Sequence, residues 1–272
     1  ELLLLQRNAI DIEVISVPRV TIMTAGNEGN ALARQFDKYA LPPVKILIDT
    51  TTPQEREEYL KSLAIELYKT DWADRPLSPE DIRTLTDNTN GIDLTSIVGL
   101  RPQEIFYDWL VHEAFNQDPD EIYMADGSGR LKENFLTWQE KNVRLYLANK
   151  RADPRLKISL PKLVNISVLG AEPERPDSQA DKVVAPYKPF RVLDRHDISG
   201  LKHFSFTGAR TGSHKVKERY ITQAHRTFDR HSIMAEPSGA IGLALYMQMV
   251  DEKEVNPLDG RMRLMINTGK GI

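Results

Sequence analysis

The chain has 272 residues, 40% of them hydrophobic, enough to bury one large or two ordinary cores, so a disordered chain is excluded. Lys and Arg number 36 against 39 Asp and Glu, and a net charge of −3 draws the molecule neither to nucleic acid nor to an anionic membrane. Cysteine is absent, which removes disulfides, thiolate nucleophiles and cysteine-held metal centres.

The leucines Leu2 to Leu5 are too few for a signal-peptide core and lack a positive flank. The longest apolar stretch, Ala240 to Val250, is broken by Gln248 and falls far short of the ~20 residues that span a bilayer. The expectation is a soluble, cytoplasmic protein without membrane contact.

Ile10 to Met23 carries two β-branched runs split by Pro18 and predicts a strand or strand pair ending at Thr24. The small-residue turn Thr24-Ala25-Gly26-Asn27-Glu28-Gly29 follows, then Ala31, Leu32, Ala33, Phe36, Tyr39 and Ala40 at helical spacing. Val44 to Ile48 is a buried-strand signal, Thr52-Pro53-Gln54-Glu55 a helix start running to about Leu63, and Ile65 to Tyr68 a further strand. Trp72 to Asn90 is polar and proline-bearing, and predicts an irregular surface segment or crossover.

Pro102 to Phe115 is an amphipathic helix, and Glu121 to Ala125 a strand emptying into Asp126-Gly127-Ser128-Gly129-Arg130. Leu131 to Leu147 predicts a helix, Leu163 to Gly170 a strand and Ala171 to Pro189 a proline-rich excursion, with Thr137 to Leu163 reading as an insertion. Lys217 to Arg230 and Ser238 to Met249 are helices, and Arg263 to Ile266 a last strand into Asn267-Thr268-Gly269-Lys270-Gly271. Strands alternating with helices require crossovers and hence parallel sheets, so the class is α/β.

Three strand-to-loop junctions carry small residues: 24–29, 126–131 and 267–271. In open α/β sheets ligands bind outside the carboxyl ends of the strands. At the second junction, Gly127 and Gly129 let the backbone approach closely, and N–H groups of Ser128 to Leu131 at a helix start suit a phosphate. The same Gly-x-Gly also serves as a plain tight turn. It lacks the Gly-Lys-Ser/Thr of a Walker loop and the third glycine of a dinucleotide fingerprint.

The loops, in this order, resemble the tryptophan-synthase-β-like, fold-type II pyridoxal-phosphate enzymes, nearest the threonine synthase, cysteine synthase and threonine dehydratase branch. Residues 24–33 are similar to the family's asparagine loop; 127–131 stand in place of its phosphate loop, with Arg130 where a glycine is usual. Ala235-Glu236-Pro237-Ser238-Gly239-Ala240 is similar to the segment beside the pyridine ring, and 267–271 to the terminal Ser/Thr-Gly-x-Gly.

The resemblance implies two parallel-sheet α/β domains with the site in the cleft between them. The smaller would span 20–100 and hold the asparagine loop. The larger would span 101–272 and hold the phosphate loop, with 1–19 belonging to the larger domain or a linking region.

Pyridoxal 5'-phosphate is the implied cofactor, held by Asn27, Gly127, Ser128, Gly129, Arg130, Leu131, Glu236, Ser238 and Thr268. Thr24, Ala25, Gly26 and Glu28 would hold the substrate. Glu28 and Glu236 can equally be helix caps. The implied activity is that of a lyase or β-/γ-replacement enzyme acting on a hydroxy- or thio-amino acid or its activated ester, in a homodimer without nucleic acid or metal.

The family's Schiff-base lysine projects to Glu1 or just upstream, and no lysine precedes Lys38, so the catalytic amine is expected before residue 1. A catalytically silent relative acting as a binding or regulatory module, and an unrelated α/β protein binding a phosphate ligand, stay open. Thr211-Gly212-Ser213-His214-Lys215 mimics a family lysine element but sits after the phosphate loop, and reads instead as the solvated start of the 217–230 helix. His225 and His231, six apart, do not share a helix face as zinc ligands would.

Overall fold

The computed structural model describes residues 19–24, 27–71, 77, 79–94, 102–127, 129–148, 157–175, 177–183 and 211–269. The chain divides into two compact units, residues 1–100 and 101–272. The predicted strand before Arg19, the end of the proline-rich excursion and the last three residues lie outside the described part.

In the first unit, β1 (Val20–Met23), β2 (Val44–Asp49), β3 (Ile65–Thr70) and β4 (Ile92–Asp93) form a parallel sheet in the order β3-β2-β1-β4. Side chains alternate across a strand, so Val20, Ile22, Val44, Ile46 and Ile48 share one face. They pack there with Ala33 and Phe36 of α1 (Asn27–Lys38) and Leu60 of α2 (Gln54–Lys61). The other face is polar where α3 (Pro79–Leu85) crosses it. Lys45 Nζ donates to the carbonyls of Thr86 at 2.9 Å and Asp87 at 2.6 Å, a buried cation at a helix carboxyl end.

Two expectations change here. The 72–90 segment contains the crossover helix α3, because Ile82 is fully buried and its period is too short to register in a polar stretch. The helix starting at Thr52-Pro53-Gln54-Glu55 ends at Lys61 rather than about Leu63, with Pro53 in the N-cap position and no side-chain capping bond.

In the second unit, β5 (Glu121–Ala125), β6 (Ser167–Pro173), β7 (Thr211–Val216) and β8 (Arg263–Met265) form a parallel sheet in the order β7-β6-β5-β8. Ile122, Met124 and Val168 face Val111 and Phe115 of α4 (Pro102–Asn116) and Phe135 and Val143 of α5 (Arg130–Leu147). Tyr123, Leu169 and Ala171 face Tyr220 and Ile221 of α7 (Glu218–Arg230) and Ile241 and Leu245 of α8 (Pro237–Asp251). A single turn, α6 (Leu160–Leu163), precedes β6, and a 3-10 turn spans Asp181–Val183.

Three further corrections follow. The strand expected at Leu163–Gly170 is the turn α6 and then β6, because Pro161 sits in the first turn of a short helix. The stretch read as an insertion begins inside α5: Thr137 to Leu147 continue that helix, with Trp138, Gln139 and Val143 buried. Residues 211–215 are not the lead-in to a helix but edge strand β7, paired with β6 from Val168↔Thr211 to Pro173↔Val216. Its polar alternation is typical of an edge and hides the strand from a hydrophobic pattern.

Among the described residues, no helix is long and apolar enough to cross a membrane, and no cluster of His, Asp and Glu could hold a metal ion.

Candidate functional site

The second sheet winds from β5 through β6 to β7 on one side, then returns to place β8 on the other side of β5. That reversal is a topological switch point at the carboxyl ends of β5 and β8, the place where the general rule for open α/β sheets puts a ligand crevice. Ile266 N–H donates to Tyr123 O at 2.8 Å, which keeps the two strands in step as they enter their loops. Asp126 and Gly127, and the segment 267–269, therefore leave adjacent strands at the same edge.

Two helix amino ends point to this edge. Gly129 is the N-cap of α5 at φ 82 and ψ −11, a left-handed conformation that glycine takes without steric cost. It brings no capping side chain. The first-turn N–H groups of α5 have no intrahelical acceptors, and the helix dipole favours an anion there.

Glu236 is the N-cap of α8, and its carboxylate makes no capping bond, so the ordinary cap role is not the one it fills. Its backbone N–H donates instead to Gly269 O at 3.1 Å. Gly239, one turn on, lets α8 lie against the loop: a Cβ there would meet Gly269 O at 2.5 Å and Asn267 Oδ1 at 2.7 Å.

Of the residues singled out from sequence, Gly127, Gly129, Leu131, Glu236, Ser238 and Thr268 thus lie in the second unit on the loops and helix starts at this edge. Ser238 is buried in the first turn of α8, and Thr268 is exposed on the loop after β8. Ser128 lies outside the described residues, and Arg130 is placed by its backbone at the start of α5.

The asparagine loop belongs to the first unit. Ala25 and Gly26 lie outside the described residues. Thr24 is tied by its N–H to Leu47 O at 3.1 Å, and Asn27 and Glu28 open α1. There too the strand order reverses at β1, between β2 and β4. Asn30, which sequence reasoning passed over, is buried with its Oδ1 lacking a hydrogen-bond partner.

A second group was also missed. Asp126 and Lys132 are each 1% exposed, and Lys132 Nζ donates to Asp126 Oδ2 at 2.5 Å. Ser213 of β7 accepts from Lys132 at 2.6 Å and donates to Asp126 Oδ2 at 2.5 Å. Nothing in sequence marks this group, since Ser213 is separated from Lys132 by 81 residues.

At the opposite, amino end of the sheet, buried Glu121 accepts from Tyr123 Oη at 2.8 Å and from Arg263 Nε at 2.8 Å. Burial works against the charge of Arg263, but its bonds to Asp259 and Glu121 outweigh it and raise the guanidinium above its ordinary range. This network clamps β5 to β8 away from the crevice. His225 is half-buried, with Nε2 3.0 Å from Ala235 O beside the Glu236 turn.

No protein-family model and no curated protein matches the sequence. Solved structures do. A pyridoxal 5'-phosphate-dependent aspartate racemase matches with a TM-score of 0.62 at 17% identity, over 97% of this chain and 77% of its own. Serine racemase from maize matches at 0.60 and 16%, over 99% and 79%. Diaminopropionate ammonia lyase from Escherichia coli matches at 0.59 and 18%, over 98% and 72%. With two parallel four-stranded sheets flanked by helices and these likenesses along nearly its whole length, the chain has the fold of the fold-type II pyridoxal-phosphate enzymes.

Proposed function

We propose that this chain belongs to a pyridoxal-phosphate-dependent lyase or β-/γ-replacement enzyme acting on a hydroxy- or thio-amino acid or its activated ester. The observation that carries the reading is the strand reversal of the second unit, at which two helix amino ends and two glycine-bearing loops come together. Its residues fit the cofactor's phosphate: left-handed Gly129 brings no side chain to the amino end of α5, where the helix dipole favours an anion, and Cβ-free Gly239 keeps the neighbouring loop close.

The cofactor, when bound, supplies an electron sink for charge developing at the substrate Cα. In this reading N–H groups of residues 127–131 hold the phosphate, and Glu236 and Ser238 lie beside the ring. Asn27 contacts the ring hydroxyl, and residues 24–28 take the substrate carboxylate. Thr268 offers a neutral hydroxyl to the pyridine nitrogen. A hydroxyl does not hold that nitrogen protonated as a carboxylate would, which favours loss or exchange of a Cβ substituent over transamination. Turnover requires an amine that holds the cofactor as a Schiff base.

Intact protein, treated with pyridoxal phosphate and then borohydride, should retain one cofactor covalently, and untreated holoprotein should release a keto acid from an O-activated serine. Protein that takes up no cofactor and leaves such substrates unchanged overturns the proposal.

A further inference from the structure

A lysine three residues into a helix faces the positive end of the helix dipole, and burying it beside a carboxylate strips both ions of water. Lys132 does both. Apolar residues of similar volume would fill the same space with equal or better stability. Room is also made for the pair: Gly170 lies under it, and a Cβ there would sit 2.4 Å from Asp126 Oδ2. Asp126 Oδ1 is buried without a hydrogen-bond partner, a cost that an apolar pair would have avoided. Stability alone therefore does not account for the group.

Its position does. Asp126 is the residue before Gly127, Lys132 belongs to the first turn of α5, and Ser213 is on β7. The bonds among them tie the residue before Gly127 to the first turn of α5, and both to β7.

We propose that Asp126, Lys132 and Ser213 are positioning residues that hold Gly127 and the amino end of α5 where they grip the phosphate of the ligand. The inference rests on the reading of residues 127–131 as a phosphate cradle. It adds that the grip depends on a hydroxyl from β7.

The test is the phosphate increment: the ratio of affinities for pyridoxal 5'-phosphate and for pyridoxal, measured by titration calorimetry alongside the melting temperature. Ser213→Ala should cut the increment about tenfold, as the loss of one well-placed polar bond would. Ser213→Thr, which keeps the hydroxyl and suits a strand, should restore it. Asp126→Val/Lys132→Leu should lose about as much while melting no lower than the parent. Affinity for pyridoxal should stay within about twofold throughout.

An unchanged increment in Ser213→Ala and in the double variant, with the parent still preferring the phosphorylated form, overturns the positioning role and leaves the cradle standing. A parent that binds the two ligands equally overturns the cradle, and the positioning role falls with it.

Discussion

Gly239 is where a single methyl group tests the crevice most sharply. A Cβ at that position would stand 2.5 Å from Gly269 O, whereas ordinary contact begins at 3.4 Å, so one side must yield by about 0.9 Å (3.4 − 2.5). The obstacle is backbone and cannot rotate away. The added methyl lies inside α8, whose neighbours Ser238 and Ala240 are buried, so the loop 267–269 is the side that moves. Its movement stretches the bond from Glu236 N–H to Gly269 O, now 3.1 Å.

Overpacking of this kind costs about 1–3 kcal/mol. A shift of about 1 Å in a positioning element costs on the order of a hundredfold in turnover. Gly239→Ala should therefore melt a few degrees lower and lose far more function than stability. Gly242→Ala is the matched control, because its Cβ would meet Tyr123 O at 2.8 Å, in the same helix but against the middle of β5. It should cost similar stability with a smaller loss of cofactor affinity. The assay is cofactor titration and thermal melting of both variants beside the parent. Equal cofactor affinity in Gly239→Ala and the parent would refute the claim that loop 267–269 belongs to the site.

Other expectations follow from the same structure. Arg263→Met leaves Glu121, 1% exposed, without its nearest cation and should cost about 3–5 kcal/mol in urea unfolding, whereas Arg261→Met, more than half exposed and 3.4 Å from the same carboxylate, should cost under about 1 kcal/mol. Ser232 sits at φ 57 after α7, where Ile233 N–H reaches Phe228 O at 2.9 Å, so Ser232→Gly should stabilise by about 0.5–1 kcal/mol, the relief of left-handed strain less the added chain entropy. Burial opposes the charge on Glu66 and Asp120, but the bonds from Arg19 and Lys162 outweigh it and hold both below their ordinary 4.5 and 3.8. Their stabilisation is complete above those values and is lost as pH falls through the folded ones, so Lys162→Met should flatten the decline of melting temperature on the acid side of about pH 4. Thr268→Asp should raise the ring nitrogen's proton affinity and suppress elimination, read as keto-acid release, and replacement, read as formation of the substituted amino acid; unchanged turnover would point to Ser238 as the nitrogen's partner.

Sequence alone conveyed those elements whose burial is periodic. The β2 run Val44–Ile48 is buried throughout and reads as a strand at sight, and α7 carries Tyr220, Ile221 and Ala224 on one face. The small residues of α8 were legible as a helix, and the structure adds their reason, since Gly239 and Gly242 let it touch the backbone beneath. What stayed hidden lacks a hydrophobic period. Edge strand β7 alternates polar residues, β4 is two residues long, and α3 buries little beyond Ile82. Spacing likewise gave no hint of the Asp126–Lys132–Ser213 group, because pairing across strands depends on register, which only the folded sheet sets.

The central claim is that the amino end of α5 holds the phosphate of pyridoxal phosphate. An experimental structure of the intact protein with that cofactor tests it most directly. The account predicts phosphate oxygens within hydrogen-bond distance of N–H groups of residues 127–131 and the ring beside the α8 start and the 267–269 loop. Cofactor bound elsewhere, or a crevice left empty at saturating cofactor, would contradict it.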